Sequence, residues 1–298
     1  MKSRLEKNKN LRRKEKEVKK EKRKKKTKKV LVKILLIILL VIIYGFLIEP
    51  NILKVNEYKI NSNEISDNFH GLKIVHFSDL HYGSTINKNN IDKVIKKIND
   101  LEPDVLVFTG DLIEEDYNLS KKDLKNLTKK LSGLNAKLGK YTILGNHDYY
   151  NEDYKNIMFD SNFNLLINNY DTIYFKDNNP ILIYGLDNIT YGSPDMSTLN
   201  NEEIKNIDYK IILLHEGDYI KKIDDSSIDL ILGGHSHNGQ VNIIKPIYLP
   251  KHANNYYDSY YKKDNANIYI SNGIGTSMIP VRIGSMPSIN LYRLNKIK

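Results

Sequence analysis

The sequence predicts a mixed α/β fold held behind one apolar helix, on three observations. Short β-branched runs alternate with helix-period segments between Gly71 and Leu144. The second half turns strand-rich, with Asn/Asp turns between short apolar runs. Val30–Ile48 is a nineteen-residue apolar run with Lys33 as its only charge. The alternation argues for βαβ units, and the later runs for a meander, so a sheet structure with helices outside accommodates both.

The N-terminal elements come first. Residues 1–29 hold 17 Lys/Arg against 4 Asp/Glu, which leaves 29 basic and 32 acidic residues for the other 269. The high pI therefore belongs to the tail, the remainder is slightly acidic, and no nucleic-acid partner is expected for it. Nineteen helical residues span roughly 28 Å, close to a bilayer's hydrocarbon thickness. Glu49-Pro50 stops the helix. The long basic stretch before the run and the lack of a small-x-small site after it disfavour a cleaved signal peptide. Arg12-Arg13 precedes Lys14-Glu15-Lys16, where a twin-arginine signal has apolar residues. Dense Lys/Arg beside a membrane helix stays inside. The expectation is a single-pass cell-membrane protein with a cytoplasmic tail (1–29), a transmembrane helix (30–48), a linker (49–70) and an extracytoplasmic domain (71–298). A tail that binds anionic lipid or RNA is the rival reading.

The linker is expected to end in an edge strand at Tyr58-Lys59-Ile60. Lys73–Ser78 reads as a buried strand. Ile91, Val94, Ile95 and Ile98 fall at helical spacing, closed by Pro103. Asp104–Thr109 is a second strand, Leu124, Leu127 and Leu131 mark a second helix ended near Gly133, and Tyr141–Leu144 is a third strand. Leu165–Asn168, Thr172–Phe175 and Ile181–Tyr184 form the meander. Residues 197–207 read as helical, Lys210–Leu214 and Asp229–Leu232 as strands flanking a short helix, and Val241–Ile244, Asn267–Ile270 and Ser288–Tyr292 as closing strands. Tyr256–Tyr261 reads as a long loop.

Five segments carry metal-ligand chemistry: Asp79-Leu80-His81, Gly110-Asp111, Gly145-Asn146-His147-Asp148, His215, and Gly233-Gly234-His235-Ser236-His237. Each follows a predicted strand, so ligands far apart in sequence can converge on one sheet edge. There is no cysteine, which excludes disulfides and thiolate sites; any metal is held by N and O atoms. Carboxylate, amide oxygen and imidazole suit divalent cations of hard or borderline character, with Mn²⁺ the first expectation and Fe or Zn the alternatives. Five of the eight histidines lie in these segments. His76, within a strand, reads as structural; His70 falls in the linker and His252 in a loop. Gly273–Thr276 is not a phosphate-binding Walker loop, since no Gly-Lys-Ser/Thr follows, and reads as a tight turn near the metals.

In order and spacing the five motifs resemble the calcineurin-like metallophosphoesterase superfamily, from about Lys73 to Ile289. Gly239-Gln240, Ser271–Thr276, Pro280-Val281-Arg282 and Pro287 are similar to a membrane-anchored branch of UDP-2,3-diacylglucosamine hydrolase-like phosphodiesterases. Asn238 departs from that branch, which has Gly there. The resemblance implies a four-layer α/β/β/α sandwich with two divalent metal ions. It implies Asp79, His81 and His237 on the first metal, Asn146, His215 and His235 on the second, and Asp111 bridging. It implies attack on phosphorus by a hydroxide shared between the metals, and His147 on the substrate side as general acid or transition-state stabiliser.

Asp148 is a candidate to orient His147 and Asn188 a candidate to line the pocket, while Tyr82 either stacks on substrate or packs at the rim. The expected reaction is hydrolysis of a phosphodiester or pyrophosphate bond in a small-molecule or lipid-linked substrate. A phosphomonoesterase and a non-catalytic metal-bearing module are the alternatives; the second predicts lost ligands, and none is missing.

Overall fold

The computed structural model describes residues 2–176, 178–224 and 226–297. Residues 1–47 and 48–298 are separate compact units. In the first, helix α1 (Lys2–Ile43) joins the basic tail to the apolar run without a break. It is long and apolar enough to cross a membrane. A π turn (Tyr44–Ile48) and a 3-10 turn (Glu49–Asn51) follow, the second with Pro50 in its first positions, where a missing N–H costs nothing.

The second unit begins with β1 (Lys54–Ser62), β2 (Lys73–Phe77), α2 (Ile91–Asn99), β3 (Val105–Phe108), α3 (Lys121–Ser132), β4 (Gly139–Thr142), α4 (Glu152–Asp160) and β5 (Asn164–Leu165). It continues with β6 (Asn169–Ile173), β7 (Ile181–Gly185), β8 (Tyr209–Leu213), β9 (Leu230–Gly233), β10 (Tyr261–Lys263), β11 (Ala266–Ile270) and β12 (Ser288–Lys296). Two six-stranded sheets result, in the orders β1-β12-β2-β3-β4-β5 and β10-β11-β9-β8-β7-β6. The inner strands of each are parallel, β2-β3-β4 in one and β7-β8-β9 in the other.

Burial explains the sequence pattern. Ile74, Val105, Val107 and Ile143 from one sheet meet Ile183, Ile211, Leu213 and Leu232 from the other in the central core. Alternate residues Val75, Leu106 and Phe108 face α2, α3 and α4 through Val94, Ile98, Leu127 and Ile157. With both faces covered, parallel strands read as unbroken apolar runs. The second sheet's outer face packs Leu182, Ile212 and Ile231 on Leu199, Ile220 and Ile223. Those last three sit in or beside 3-10 turns (Ser197–Asn200, Gly217–Lys222), so this outer layer is built of turns rather than α-helix.

Three expectations are corrected. Residues 49–70 contain β1, which pairs in parallel with β12 over nine residues, so the edge strand expected at Tyr58–Ile60 is longer and takes nine of the expected linker's twenty-two residues into the sheet. Expected helix 197–207 is a 3-10 turn followed by hydrogen-bonded turns, such as Lys205 N donating to Asn201 O. Val241–Ile244 is no strand: Gly239 and Gln240 before it have positive φ, Pro246 follows, and only single bridges form at Val241 and Asn242.

Candidate metal centre

Every motif lies just beyond the carboxyl end of a parallel strand: Asp79 and His81 after β2, Asp111 after β3, Asn146 and His147 after β4, His215 after β8, His235 and His237 after β9. Consecutive parallel strands end on one edge, and two packed sheets bring both edges together. The chain turns sharply there. Asp79, His81, Asp111, His235 and His237 all have φ between 42° and 69°. A left-handed conformation costs a non-glycine residue roughly 1 kcal/mol, and clustering of such strain is characteristic of functional sites.

The close approach depends on glycine at two points. A Cβ on Gly145 would lie 2.1 Å from Asp111 Oδ1, and one on Gly273 would lie 2.8 Å from Asp79 Cβ. The Gly273–Thr276 turn does stand beside the site, with Gly275 N donating to Asp79 O at 2.8 Å.

The side chains form two connected groups. Asp79, His81 and His237 make the first: His237 Nε2 is 3.4 Å from Asp79 Oδ1 and 3.1 Å from His81 Nε2. Asp111, His215 and His235 make the second, with His215 Nε2 3.2 Å from Asp111 Oδ2. Asp111 reaches across, its Oδ2 3.7 Å from His81 Nε2. Asn146 lines the same cavity, and its Oδ1 is buried with no partner.

Each imidazole is aimed by what its other nitrogen meets. His215 Nδ1 donates to Thr109 O at 2.6 Å, which turns Nε2 toward Asp111 Oδ2. His235 Nε2 donates to Lys251 O at 2.8 Å, freeing Nδ1. His81 Nδ1 stands 2.7 Å from Glu114 Oε2. This is the outer-shell pattern that fixes tautomers in metal sites.

The electrostatics are those of a tightly packed acid–imidazole cluster. Burial alone would raise the Asp111 carboxyl, but His215, His147 and His81 hold it well below the carboxylate range. Burial opposes protonation of His215, yet Asp111 raises it well above the usual value. Burial and the charge of His81 and Arg282 push His237 well down. Two carboxylates, one amide oxygen and four imidazoles converging at one sheet edge are a donor set that fits divalent cations.

His147 sits at the cavity wall with a partly exposed ring, its Nε2 3.8 Å from Asp111 Oδ2 and its Nδ1 3.9 Å from Glu115 Oε2. Its backbone N–H donates to Asp111 Oδ1 at 2.9 Å.

The remaining expected site residues lie elsewhere. Asp148 does not orient His147. Its carboxylate accepts from Asp111 N (2.6 Å), Leu112 N (2.9 Å) and Gly145 N (2.9 Å), so it pins the backbone of two ligand loops. Tyr82 is buried in the helix-side core, edge-on to Tyr117, because its bridges to Ile86 and Ile113 turn it away from the cavity. Asn188 is buried too; its Oδ1 accepts from Tyr191 N, shaping a loop whose Thr190 reaches the cavity instead. His76 is structural, held between Tyr292 Oη (3.3 Å) and Thr109 Oγ1 (2.9 Å).

Sequence reading missed Glu114 and gave Arg282, part of the Pro280-Val281-Arg282 segment, no role at the site. Arg282 is fully buried, donates from Nη1 to Ser285 O at 2.8 Å, and places Nη2 3.2 Å from His237 Nδ1. No local motif marks Glu114; only the acidic run Glu114-Glu115-Asp116 after Asp111 signals it.

A two-sheet α/β phosphoesterase with an O/N metal centre is the class that this fold and geometry define. Residues 72–239 match the family model described as calcineurin-like phosphoesterase, and the chain belongs to that family. It is 34% identical over 259 residues to the uncharacterized metallophosphoesterase YkuE of Bacillus subtilis, covering 84% of this chain and 88% of that one. It is 33% identical over 230 residues to the uncharacterized metallophosphoesterase Cj0846 of Campylobacter jejuni, covering 76% of this chain and 59% of the relative. A Bos taurus transmembrane protein with metallophosphoesterase domain is 29% identical over 254 residues, covering 79% and 55%. The chain thus spans less than two thirds of the length of the last two.

Proposed function

We propose that this protein is a membrane-anchored phosphodiesterase that hydrolyses a phosphodiester or pyrophosphate bond with two divalent cations, Mn²⁺ first among them. The observation that carries the reading is the convergence of seven N and O ligand atoms at one edge of the two sheets, with Asn146 Oδ1 buried and without a protein partner. Asp79, His81 and His237 would hold one cation, Asn146, His215 and His235 the other, and Asp111 both. When bound, such a pair supplies Lewis acidity that lowers the pKa of water and polarises phosphoryl oxygens.

The chain's own residues do the rest. Thr109 O and Lys251 O keep His215 and His235 in the tautomers that expose a lone pair. Asp148 holds the backbones of Asp111 and Gly145 in register, and His147 N–H donates to the Asp111 carboxylate. His147 is within reach of the cavity and free at its ring edge, which suits protonation of the leaving oxygen. Glu115 lines the same cavity, with Glu114 behind it against His81. Their charges repel a dianionic monoester more than a monoanionic diester, which favours the diester over a phosphomonoester. The apolar run and the basic tail support a single span with the N-terminus cytoplasmic and the catalytic domain outside.

The test is turnover by the Mn²⁺-loaded full-length protein in nanodiscs on a phosphodiester, a phosphomonoester and a nucleotide-sugar, with metal content measured alongside. Preferred hydrolysis of the diester or the nucleotide-sugar is expected. Preferred monoester hydrolysis would make it a phosphomonoesterase, and stoichiometric metal with no turnover a binding module.

A further inference from the structure

Glu49 is the first charged residue after the apolar run, and its side chain is buried, only 1% exposed. Its backbone has an ordinary task. Glu49 O accepts from Ile52 N at 3.0 Å, closing a 3-10 turn that any residue could close. The carboxylate does something else. Oε2 accepts from Gly284 N at 3.0 Å and Oε1 from Ser285 N at 2.8 Å, more than 230 residues along the chain. Gly284 has φ of 75°, the left-handed turn that brings successive N–H groups round one anion.

The turn held this way leads to the candidate centre through short contacts. Ser285 Oγ donates to His237 O at 2.6 Å, and Ile283 N donates to Gln240 O at 2.9 Å. Arg282 Nη1 donates to Ser285 O at 2.8 Å and Arg282 Nε to Gly275 O at 3.2 Å. Gly275 N in turn donates to Asp79 O at 2.8 Å. His237 is where such a clamp is needed. It opens a run of four positive φ values: 48° at His237, 49° at Asn238, 72° at Gly239 and 50° at Gln240. Strained backbone persists only where its surroundings over-determine it. Charge adds a second reason. The Arg282 guanidinium is fully buried, which is costly without an opposite charge, and the carboxylates of Asp79 and Glu49 both act on it. Without Glu49, Asp79 would face that charge alone.

We infer that Glu49 is a positioning residue for the metal centre: its carboxylate holds the 282–285 turn, and that turn fixes the strained His237 backbone that aims the ring. This role rests on the metal-centre reading above and adds to it the point where the chain leaves the apolar run. Stopping a helix, the task that the Glu49-Pro50 pair suggests, accounts for none of the side-chain bonds. A residue needed only to end the helix would leave its carboxylate in water.

The experiment uses full-length protein in nanodiscs, first metal-free and then titrated with Mn²⁺. In metal-free Glu49→Ala, hydrogen exchange read by mass spectrometry should quicken over residues 236–242 and 282–286. The loops of Asp111, Asn146 and His215 should exchange as in wild type. Calorimetric titration should show one of the two Mn²⁺ ions weakened about tenfold and the other unchanged; the figure is the lower end of outer-shell losses, because Glu49 acts through an intervening turn. Ser285→Ala removes the hydroxyl between that turn and His237 and should give the same selective loss, so it decides the matter even where Glu49→Ala folds poorly. Combined with Glu49→Ala it should add less than its own loss, since both act along one path. Glu57→Ala, which breaks the surface pair of β1 with Arg293, controls for general destabilisation and should leave both ions unchanged. Unchanged exchange over 236–242 in Glu49→Ala, or equal weakening of both ions by Glu49→Ala and by Ser285→Ala, overturns the inference. A wild type that binds no Mn²⁺ sinks the metal-centre reading; quickened exchange over 236–242 then leaves Glu49 standing as the clamp on the His237 turn, and unchanged exchange removes both.

Discussion

Glu114 offers a direct test of how the candidate centre is preorganised. Its Oε2 lies 2.7 Å from His81 Nδ1, and its side chain is 17% exposed. A carboxylate beside Nδ1 keeps the proton there and the lone pair on Nε2, which faces Asp79, Asp111 and His237. A charge-assisted contact contributes about 1.5–3 kcal/mol and a neutral one about 0.5–1.5; partial exposure screens Glu114, so the lower half of each range applies. Glu114→Ala should therefore cost about 2 kcal/mol in cation affinity, or roughly 30-fold, within the 10–100-fold range of outer-shell losses. Glu114→Gln retains an acceptor oxygen without the charge and should cost about 1 kcal/mol, or roughly fivefold. Calorimetric titration of metal-free protein with Mn²⁺ reads both values. The ordering wild type, Gln, Ala is the signature, and only the ion held by His81 should weaken. Affinity of the Ala variant within twofold of wild type, or equal weakening of both ions, would refute the argument.

Three further outcomes follow from the geometry. His147→Ala should retain bound metal and lower kcat by roughly 10²–10⁴, whereas Asp111→Asn should lose metal and activity together; metal analysis beside rates separates them, and loss of both ions in His147→Ala would contradict its role. His76 is pushed down to about 3 by burial. A depressed histidine stabilises the fold above the ordinary value of about 6.5 and loses that contribution as pH falls toward 3, so it should account for about 2 kcal/mol of lost stability between pH 8 and pH 5. Thermal unfolding followed by circular dichroism should show a shallower acid-side slope for His76→Gln than for wild type, and parallel curves would rule this out. Gly145→Ala forces a Cβ to within 2.1 Å of Asp111 Oδ1. It should destabilise by about 1–3 kcal/mol and release metal, measured by denaturant titration and metal analysis; normal metal content would show that the ligand loop relaxes without cost.

The order of strands and helices up to β4, the membrane-length apolar run and the seven clustered donors were legible in the chain. Each is a local signal: apolar period, β-branched runs, or a short polar motif just past a strand. What was misjudged depended on partners distant in sequence. Only Tyr58–Ile60 of β1 was legible as an edge strand, because the rest of its pattern is half polar and pairing with β12, more than 230 residues away, extends it. Val241–Ile244 looked like a strand by composition, but positive-φ residues ahead of it leave no partner in register. Asp148 was assigned to its sequence neighbour His147, while folding directs its carboxylate to Asp111 and Leu112.

By itself, the amino-acid order determined the chemistry available: oxygen and nitrogen ligands without thiols, delivered by loops after buried strands. Only the tertiary structure decided which groups aim them. Glu114, Thr109 and Lys251 act on His81, His215 and His235 through contacts with no sequence period or motif. An imidazole's useful nitrogen is set by whatever meets the other one, and that partner is chosen by packing rather than by neighbourhood along the chain.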